Sequence, residues 1–205
     1  MLTAIILAAG QGRRMGSLKQ LLPWQGDKTI LETVVGTVLA CPQFDDEVRV
    51  VLGAGREQVL PRLRGIADPR LVLLENPQFE RGMLSSIQRG VADLPSPSRG
   101  FALFLGDQPL LTPDLVAPLG DYWLKAGPDF LVPVHRGRRG HPVLVQKKYV
   151  PEILALEEEE GGLRNLLRRH EERVVYLPVA SPAIFLDLDY PEDYRRHHPE
   201  GGKDK

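Results

Sequence analysis

The first apolar segment of the chain is followed by a short run that combines glycines with cations. The glycines are Gly10, Gly12 and Gly16, and the cations are Arg13, Arg14 and Lys19. Glycines allow backbone N–H groups to approach an anion closely, and neighbouring N–H groups form an anion-binding nest. Arginine binds a phosphate through two parallel hydrogen bonds, whereas lysine acts as a point charge. The run therefore predicts a loop that binds phosphate groups.

The spacing of this loop excludes two known phosphate-binding motifs. A Walker loop requires a lysine directly after its last glycine, but Ser17 follows Gly16 here. A dinucleotide-binding loop requires a third glycine where Met15 stands, and an acidic residue at the end of the second strand, where Gly53 stands. A flexible surface turn is the remaining alternative. The three cations favour a phosphate site over such a turn.

Three aspartates in or after apolar segments are candidate metal ligands. Asp107 follows an apolar strand with no cation near it in the sequence, and Mg²⁺ binds one or two carboxylates together with phosphate oxygens and water. Asp187 and Asp189 are two residues apart on a predicted strand, so both would point to one face. Either could supply a second carboxylate, and we favour Asp189. The structural alternatives are that Asp107 stabilises a turn and that Asp189 caps a helix beginning near Pro191.

Two further groups of polar residues could contact a ligand. Ser85 and Ser86 follow Gly82 at a predicted helix start and could hold a base or a ribose, although serines are also common there for structural reasons. His141 ends a basic loop and could contact an anionic acceptor. The arginines of that loop are Arg136, Arg138 and Arg139. The alternative is a solvated surface loop with an incidental histidine.

Alternating strands and helices must position these residues. Strands are predicted at 2–8, 48–52, 71–74, 101–105 and 130–134, and late strands at 142–145, 174–179 and 183–188. Helices are predicted at 30–40, 56–63, 82–94, from 113 onward, at 149–158 and at 163–170. Thr29 and Glu32 form a capping box, and Thr112 caps the helix that begins at Pro113. This order predicts an α/β fold: a three-layer α/β/α Rossmann-like sandwich with a mostly parallel sheet and late antiparallel edge strands.

Length and composition set the remaining limits. The 205 residues suit one domain, which we place at 1–194, with a disordered polar tail at 195–205. The net charge is −1, which argues against nucleic acid or a membrane surface as a partner. Cys41 is the single cysteine, so a disulfide framework and a cysteine zinc site are excluded. No segment is long enough to span a membrane, and we expect a cytoplasmic protein.

Five segments, in order, resemble the MobA-like nucleotidyltransferases, and more narrowly their molybdenum cofactor cytidylyltransferase branch. They are LAAGQGRRMG at 7–16 with KQLLP at 19–23, NP at 76–77 with GMLSSI at 82–87, LGDQPL at 105–110, GHPV at 140–143, and DLDYPEDY at 187–194. Two positions depart from the family pattern. Tyr190 stands where threonine is usual, and EEGGLR at 159–164 alters an acidic motif that ends in glycine and arginine. Both departures concern the acceptor side.

The resemblance implies a transfer of CMP from CTP to the phosphate of the molybdopterin-type molybdenum cofactor, with Mg²⁺ as cofactor. It implies catalytic roles for Arg14, Lys19 and Asp107, with Asp107, Asp189 and Asp187 as metal ligands and His141 and Arg139 at the acceptor. The nucleotide contacts it implies are Leu7, Ala8, Ala9, Gly10, Gly12, Arg14, Lys19, Gly82, Ser85 and Ser86. The pair Ala8-Ala9 favours CTP, because guanylyltransferase relatives usually carry glycine in the second place.

Two other functions fit the same residues. The first is a related nucleotidyltransferase that uses GTP, or that acts on a sugar phosphate or another small phosphate. The second is a non-catalytic carrier that delivers the molybdenum cofactor to a molybdoenzyme or another delivery partner. A carrier does not need both the glycine loop and Asp107. The four acidic residues at 157–160 are interpreted as a solvated helix end without a chemical role.

Overall fold

The computed structural model describes residues 1–10, 12, 18–158 and 161–199. The roles predicted for Arg13, Arg14 and Gly16 therefore fall outside the described residues. Among the residues that are described, no helix has the length and apolar character needed to cross a membrane.

Ten strands and seven α-helices follow one another along the described chain. The strands are β1 (Thr3–Ala8), β2 (Pro23–Gln25), β3 (Lys28–Thr29), β4 (Val48–Leu52), β5 (Leu71–Glu75), β6 (Gly100–Leu105), β7 (Phe130–His135), β8 (Arg138–Arg139), β9 (Val143–Gln146) and β10 (Val174–Pro178). The helices are α1 (Ile30–Leu39), α2 (Arg56–Arg64), α3 (Met83–Val91), α4 (Pro113–Ala126), α5 (Val150–Leu154), α6 (Gly162–Arg169) and α7 (Pro191–His197).

The central sheet confirms the predicted α/β architecture. Its strands are ordered β10-β7-β9-β6-β1-β4-β5, with β8 paired to the end of β7, and β2 and β3 form a separate hairpin. All neighbours are parallel except where β9 pairs with β6 and β7, and where β8 pairs with β7. The antiparallel strand β9 thus lies inside the sheet, whereas the edge strand β10 is parallel. The reason is connectivity: β9 follows a hairpin directly, but β10 follows the crossover through α5 and α6.

Strand β1 runs through the middle of the sheet and is covered on both faces. Ala4, Ile6 and Ala8 pack into a core with α1, α2 and α4, while Ile5 packs on the opposite face with α3, α5 and α6. Such a strand shows no polar alternation because both of its faces exclude water. The glycine loop therefore begins at the end of a strand that is buried on both faces.

The start of α1 provides a test of the local energetics. The Thr29 hydroxyl accepts from Glu32 N at 3.3 Å, and the Glu32 carboxylate accepts from Thr29 N at 2.9 Å, which confirms the predicted capping box. Thr112 holds the same position before α4 but makes no side-chain cap bond. We expect Thr29→Ala to lower the free energy of unfolding by about 1 kcal/mol.

Urea denaturation measures this difference, with Thr112→Ala as the matched control. The control should change stability by less than about 0.5 kcal/mol, because no cap bond is lost. Equal losses in the two variants would contradict the capping argument.

Three predicted elements differ from the structure. Helix α5 ends at Leu154, well short of residue 158. The segment predicted as a strand at 183–188 is a 3-10 turn over Pro182–Phe185 followed by irregular backbone. Proline at the start of this turn lacks an N–H for ladder pairing, and the Ile184 carbonyl accepts from His141 N at 2.7 Å instead. We expected a disordered tail from residue 195, but α7 continues to His197.

Candidate active site

A cavity of about 360 Å³ opens where β1 and β6 end, at the carboxyl edge of the sheet. Ligands of open α/β sheets bind at this edge. The described residues that line it are Leu7, Ala8, Ala9, Gly10, Lys19, Gln20, Phe79, Gly82, Met83, Ser86, Leu105, Gly106, Asp107, Asp187 and Asp189. Most residues predicted for the nucleotide and metal sites are thus brought together. Gly12 and Ser85 do not line this cavity; Ser85 lies in a neighbouring groove with Arg81 and Gln88.

Lys19 forms the electrostatic centre of the cavity. Its Nζ contacts Asp107 Oδ2 directly and donates to Asp189 Oδ1 at 2.9 Å. Burial alone would lower the pKa of Lys19, but the two carboxylates raise it above its ordinary value, so the ammonium form is retained. The sequence places no cation near Asp107, but the fold supplies one in Lys19. Lys19 is 88 residues away in the sequence, so a local reading of the sequence could not find it.

The carboxylates of the cavity fit a divalent cation. Asp107 Oδ1 is buried and has no hydrogen-bond partner among the described residues, so it can still accept a ligand. One Nζ contacts both Asp107 and Asp189, which means that the two carboxylates are close enough to share a single cation. The described residues hold no cluster of three or more His, Cys, Asp or Glu side chains arranged around a metal. This donor set suits a hard cation that completes its shell with phosphate and water oxygens.

Asp187 occupies a different position from the one predicted. It does not share a strand face with Asp189, because the backbone of both residues is irregular. Its Oδ1 accepts from Gln108 Nε2 at 2.7 Å, and the fully buried Gln108 also donates to the Ile184 carbonyl at 3.3 Å. Nor does Asp189 cap α7: the cap is Tyr190, whose N–H donates to the Asp193 carboxylate. Asp189 is thus left facing Lys19, while Gln108 holds Asp187.

The opposite wall of the cavity is uncharged and depends on two close backbone approaches. A Cβ at position 53 would lie 2.6 Å from Phe79 Cβ and 2.8 Å from Ala9 Cβ, so Gly53 allows Phe79 to reach the cavity. Gly82 has φ +113°, a conformation that side chains rarely adopt, and its Cα faces the Glu158 carboxylate. Any larger residue at either position would displace this wall.

Glu158 has a role that the sequence did not reveal. Its Oε2 accepts from Leu84 N at 2.8 Å, in the first turn of α3. A carboxylate at a helix start satisfies an otherwise unpaired N–H and is stabilised by the helix dipole. Glu158 is exposed to solvent as expected, but it also stabilises the start of α3, a role that was not expected; Glu159 and Glu160 lie outside the described residues.

The predicted acceptor residues do not line the cavity. Arg139 is exposed on β8, where it donates to Glu171 Oε1 at 3.0 Å and stacks on Tyr176. His141 is half-buried and follows β8 in the chain, and its backbone N–H donates to the Ile184 carbonyl. Burial lowers the pKa of His141 to about 4; nearby Asp107 opposes this shift and Arg164 adds to it. His141 is therefore a neutral group at physiological pH.

This lowered pKa predicts a pH dependence of stability. Between pH 6.5 and about 4 the unfolded chain binds a proton at position 141 and the folded chain does not. We expect the contribution of His141 to stability to be lost as pH falls through this range. His141→Gln should remove that part of the loss in urea denaturation, whereas the same change at His197, at the end of α7, should not. An NMR titration of His141 with a midpoint near 6.5 would contradict the prediction.

Three amides of the site were present in the quoted motifs but were not singled out. Gln20 is buried and donates to the carbonyls of Ala8 at 3.2 Å and Gly10 at 2.8 Å, which fixes the start of the glycine loop. Gln108 holds Asp187, and Asn76 contacts both serines of α3. The sequence does carry a signal for these residues. Gln20 and Gln108 each stand directly after a charged residue, and Asn76 stands directly after a strand, in mostly apolar stretches.

Comparison with known proteins relates this site to one family. A model of the MobA-like NTP transferase domain matches residues 4–174. The chain is 28% identical to the molybdenum cofactor cytidylyltransferase of Escherichia coli K12, over 93% of this chain and 92% of that protein. It is also 28% identical to the nicotine blue oxidoreductase of Paenarthrobacter nicotinovorans, over 95% of each chain.

The fold is shared with a solved mycobacterial structure. Rv0371c from Mycobacterium tuberculosis H37Rv superposes with a TM-score of 0.78 at 26% identity, covering 96% of this chain and 97% of that one. The same mycobacterial protein has been solved in complex with manganese. The match therefore extends over almost the whole of both chains.

Proposed function

Because the chain belongs to the MobA-like NTP transferase domain family, we propose that it is a cytidylyltransferase that transfers CMP from CTP to the phosphate of a molybdopterin-type molybdenum cofactor. An oxygen of the acceptor phosphate attacks the α-phosphorus of CTP and forms the new P–O bond. The bond from the α-phosphorus to the bridging oxygen breaks, and its electron pair leaves with pyrophosphate. The observation that carries the proposal is the meeting of Lys19, Asp107 and Asp189 at the end of β1.

The charged end of the cavity is suited to the triphosphate. Lys19 is the only cation among the described residues that line the cavity, so we assign it to the phosphates of the leaving group. Arg14, which lies outside the described residues, is proposed to assist it. The attacking phosphate is already anionic, so the reaction needs no protein base. The residues must instead hold two anions in line and offset the charge that develops between them.

Asp107 and Asp189 are proposed to hold Mg²⁺, with Asp187 as the alternative second ligand. When bound, Mg²⁺ would neutralise phosphate charge and orient the triphosphate. The support is the buried Asp107 Oδ1, which has no partner among the described residues, and the spacing that lets both carboxylates contact one cation. His141 is proposed to meet the acceptor as a neutral hydrogen-bonding group, because its pKa near 4 excludes an imidazolium at neutral pH.

The uncharged end of the cavity is proposed to hold the nucleoside. Phe79, Gly82, Met83 and Ser86 line it, and none of them carries a charge. Phe79 offers an apolar surface to a base, and the hydroxyl of Ser86 offers a polar contact. The two ends of the cavity therefore match the two halves of a nucleoside triphosphate.

A substrate panel tests this proposal. Purified protein with Mg²⁺ and molybdenum cofactor is given each of the four ribonucleoside triphosphates, and pyrophosphate release is measured with and without the acceptor. We expect release with CTP that depends on the acceptor. Equal rates with CTP and GTP would remove the CTP assignment, and release with a sugar phosphate but not with the pterin would replace the acceptor.

The panel also separates the non-catalytic alternatives. Tight binding of the molybdenum cofactor without pyrophosphate release from any triphosphate would favour a carrier. One relative that matches over 95% of each chain is named an oxidoreductase. We regard pyrophosphate as the decisive product, because nucleotidyl transfer releases pyrophosphate and an oxidation or reduction does not.

A further inference from the structure

A small apolar cluster, here called the hairpin cluster, packs on the hairpin of β2 and β3. Its buried members and the partly buried residues packed on them are Trp24, Ile30, Leu188, Leu22, Leu110 and Tyr194. None of these six residues lines the cavity. The cluster therefore belongs to the surroundings of the site, and the reaction proposed above assigns it no role.

The hairpin cluster contains a close chain neighbour of each of the three charged residues that meet in the cavity. Leu22 follows Lys19, Leu110 follows Asp107, and Leu188 directly precedes Asp189. Backbone bonds strengthen two of these connections. Leu22 N donates to Lys19 O at 3.2 Å, and Leu188 N donates to Asp107 O at 3.1 Å. The cluster thus joins the three chain segments that carry the charges.

Asp189 depends on its anchors more than the other two charges do. Asp107 follows β6 directly and Lys19 begins a 3-10 turn, whereas no strand or helix includes Asp189. Its position is set by the fully buried Leu188 on one side and by α7 on the other. Helix α7 has seven residues, none of them fully buried, and so short a helix is unstable unless it packs against the rest of the fold.

Tyr194 packs α7 against the hairpin. Its hydroxyl donates to the Pro23 carbonyl at 2.6 Å, and its ring meets Trp24 edge-on with the centroids 6.1 Å apart. Both of these partners lie in β2, the strand that follows the segment of Lys19. One side chain therefore connects the helix that follows Asp189 to the strand that follows Lys19.

We propose that Tyr194 is a positioning residue: by docking α7 on β2, it holds Asp189 beside Lys19 and Asp107 and so completes the site for the divalent cation. This inference rests on the proposed function, because the cation is the one assigned to nucleotidyl transfer. Tyr194 does not line the cavity and acts only through the position of Asp189. Docking of α7 and binding of the cation must then strengthen each other by the same factor.

Tyr194→Phe and Tyr194→Ala test the effect of docking on the cation site. The first keeps the ring against Trp24 and removes the hydroxyl, and the second removes both contacts. Affinity falls with the fraction of molecules in which α7 is docked. Without nucleotide, we expect the Kd of Mn²⁺, measured by electron paramagnetic resonance, to rise about threefold in the first variant and about tenfold in the second.

Tyr149→Phe is the matched control. It removes a tyrosine hydroxyl that donates to Asp129 Oδ2 at 2.8 Å, just before β7 begins and thus at the opposite edge of the sheet from the cavity. We expect a loss of stability in urea similar to that of Tyr194→Phe, but an unchanged affinity for Mn²⁺. Equal losses of Mn²⁺ affinity in the two variants would show general destabilisation and refute the positioning role.

Limited proteolysis of the unmodified protein tests the same link without any change at Tyr194. Arg195 and Arg196 are exposed trypsin sites in α7, and trypsin cuts a helix only after it opens locally. We expect saturating Mn²⁺ to slow release of the C-terminal peptide, followed by mass spectrometry, about tenfold. Asp189→Asn should abolish this protection, because the docked state then no longer favours the cation.

The outcomes separate this inference from the proposed function. If the unmodified protein binds Mn²⁺ and transfers CMP, but Mn²⁺ leaves the cleavage rate unchanged, the positioning role is refuted and the proposed function stands. If Tyr194 and Asp189 behave as expected but no triphosphate releases pyrophosphate, the positioning role stands and the transfer is refuted. Absence of Mn²⁺ binding in the unmodified protein would refute the cation site and the positioning role together.

Discussion

Asp107→Asn is expected to lower the rate of pyrophosphate release by at least about 100-fold, with little change in the free energy of unfolding. The amide keeps the shape of the carboxylate but removes the negative charge that contacts Lys19 and the buried Oδ1 that has no described partner. Both the proposed Mg²⁺ site and the position of Lys19 depend on that charge. The rate is measured at saturating CTP, and Mn²⁺ binding is followed by electron paramagnetic resonance.

The matched control for this variant is Asp114→Asn. Asp114 is exposed in the first turn of α4, so the same change of charge occurs away from the cavity. The control should keep the unmodified rate and Mn²⁺ affinity. If Asp107→Asn retained a rate within about threefold of the unmodified protein, the metal role of Asp107 would be wrong.

Lys19→Met is expected to lower the same rate by about 100-fold but to change metal binding in the opposite direction. In the free protein the ammonium contacts both Asp107 and Asp189, so its removal leaves two uncompensated carboxylates. Without nucleotide we expect Mn²⁺ to bind about tenfold more tightly, because Lys19 no longer competes for the same oxygens. Exposed Lys28 provides the control variant Lys28→Met.

These two variants together separate a catalytic role from general damage to the cavity. A misfolded or distorted cavity would bind Mn²⁺ less well in both variants. Opposite changes in affinity, with slow turnover in both, are expected only if Lys19 and the cation use the same carboxylates. Weaker Mn²⁺ binding in Lys19→Met would contradict this account.

The sequence predicted the structure correctly where residues that are close together in the chain determine it. The unbroken apolar run of β1 predicted a strand covered on both faces, and Ile5 and Ile6 indeed pack into different cores. The capping box of Thr29 and Glu32 was predicted because both partners lie within one helical turn. Asp107 was placed correctly at a strand end because an apolar run fixes where β6 stops.

Long-range partners could not be predicted in the same way. The contact of Lys19 with Asp107 joins two loops that only the sheet order β6-β1 brings together. The segment that carries Asp187 and Asp189 resembles a strand in composition, but it does not join the sheet. The Ile184 carbonyl, which a strand would use for pairing, accepts from the backbone N–H of His141 instead. Glu158 sits in a polar run, and only the folded chain brings its carboxylate to Leu84 N.

Arg139 illustrates a limit of local charge as a signal. Its basic loop predicted contact with an anionic acceptor, yet the side chain lies on exposed β8 between Glu171 and Tyr176. A surface arginine that pairs with an acidic and an aromatic side chain can have the same sequence neighbours as an arginine that binds a phosphate. Only the position of its strand relative to the cavity distinguishes the two.

The fate of isotopic label in CTP tests the central claim most directly. The protein is incubated with Mg²⁺, molybdenum cofactor and CTP labelled with ³²P at either the α- or the γ-phosphate, and the products are separated. The account predicts α-label in a dinucleotide form of the cofactor and γ-label in pyrophosphate, with both lost in Asp107→Asn. Recovery of γ-label as inorganic phosphate or on the acceptor, with α-label left in CDP, would contradict nucleotidyl transfer in this cavity.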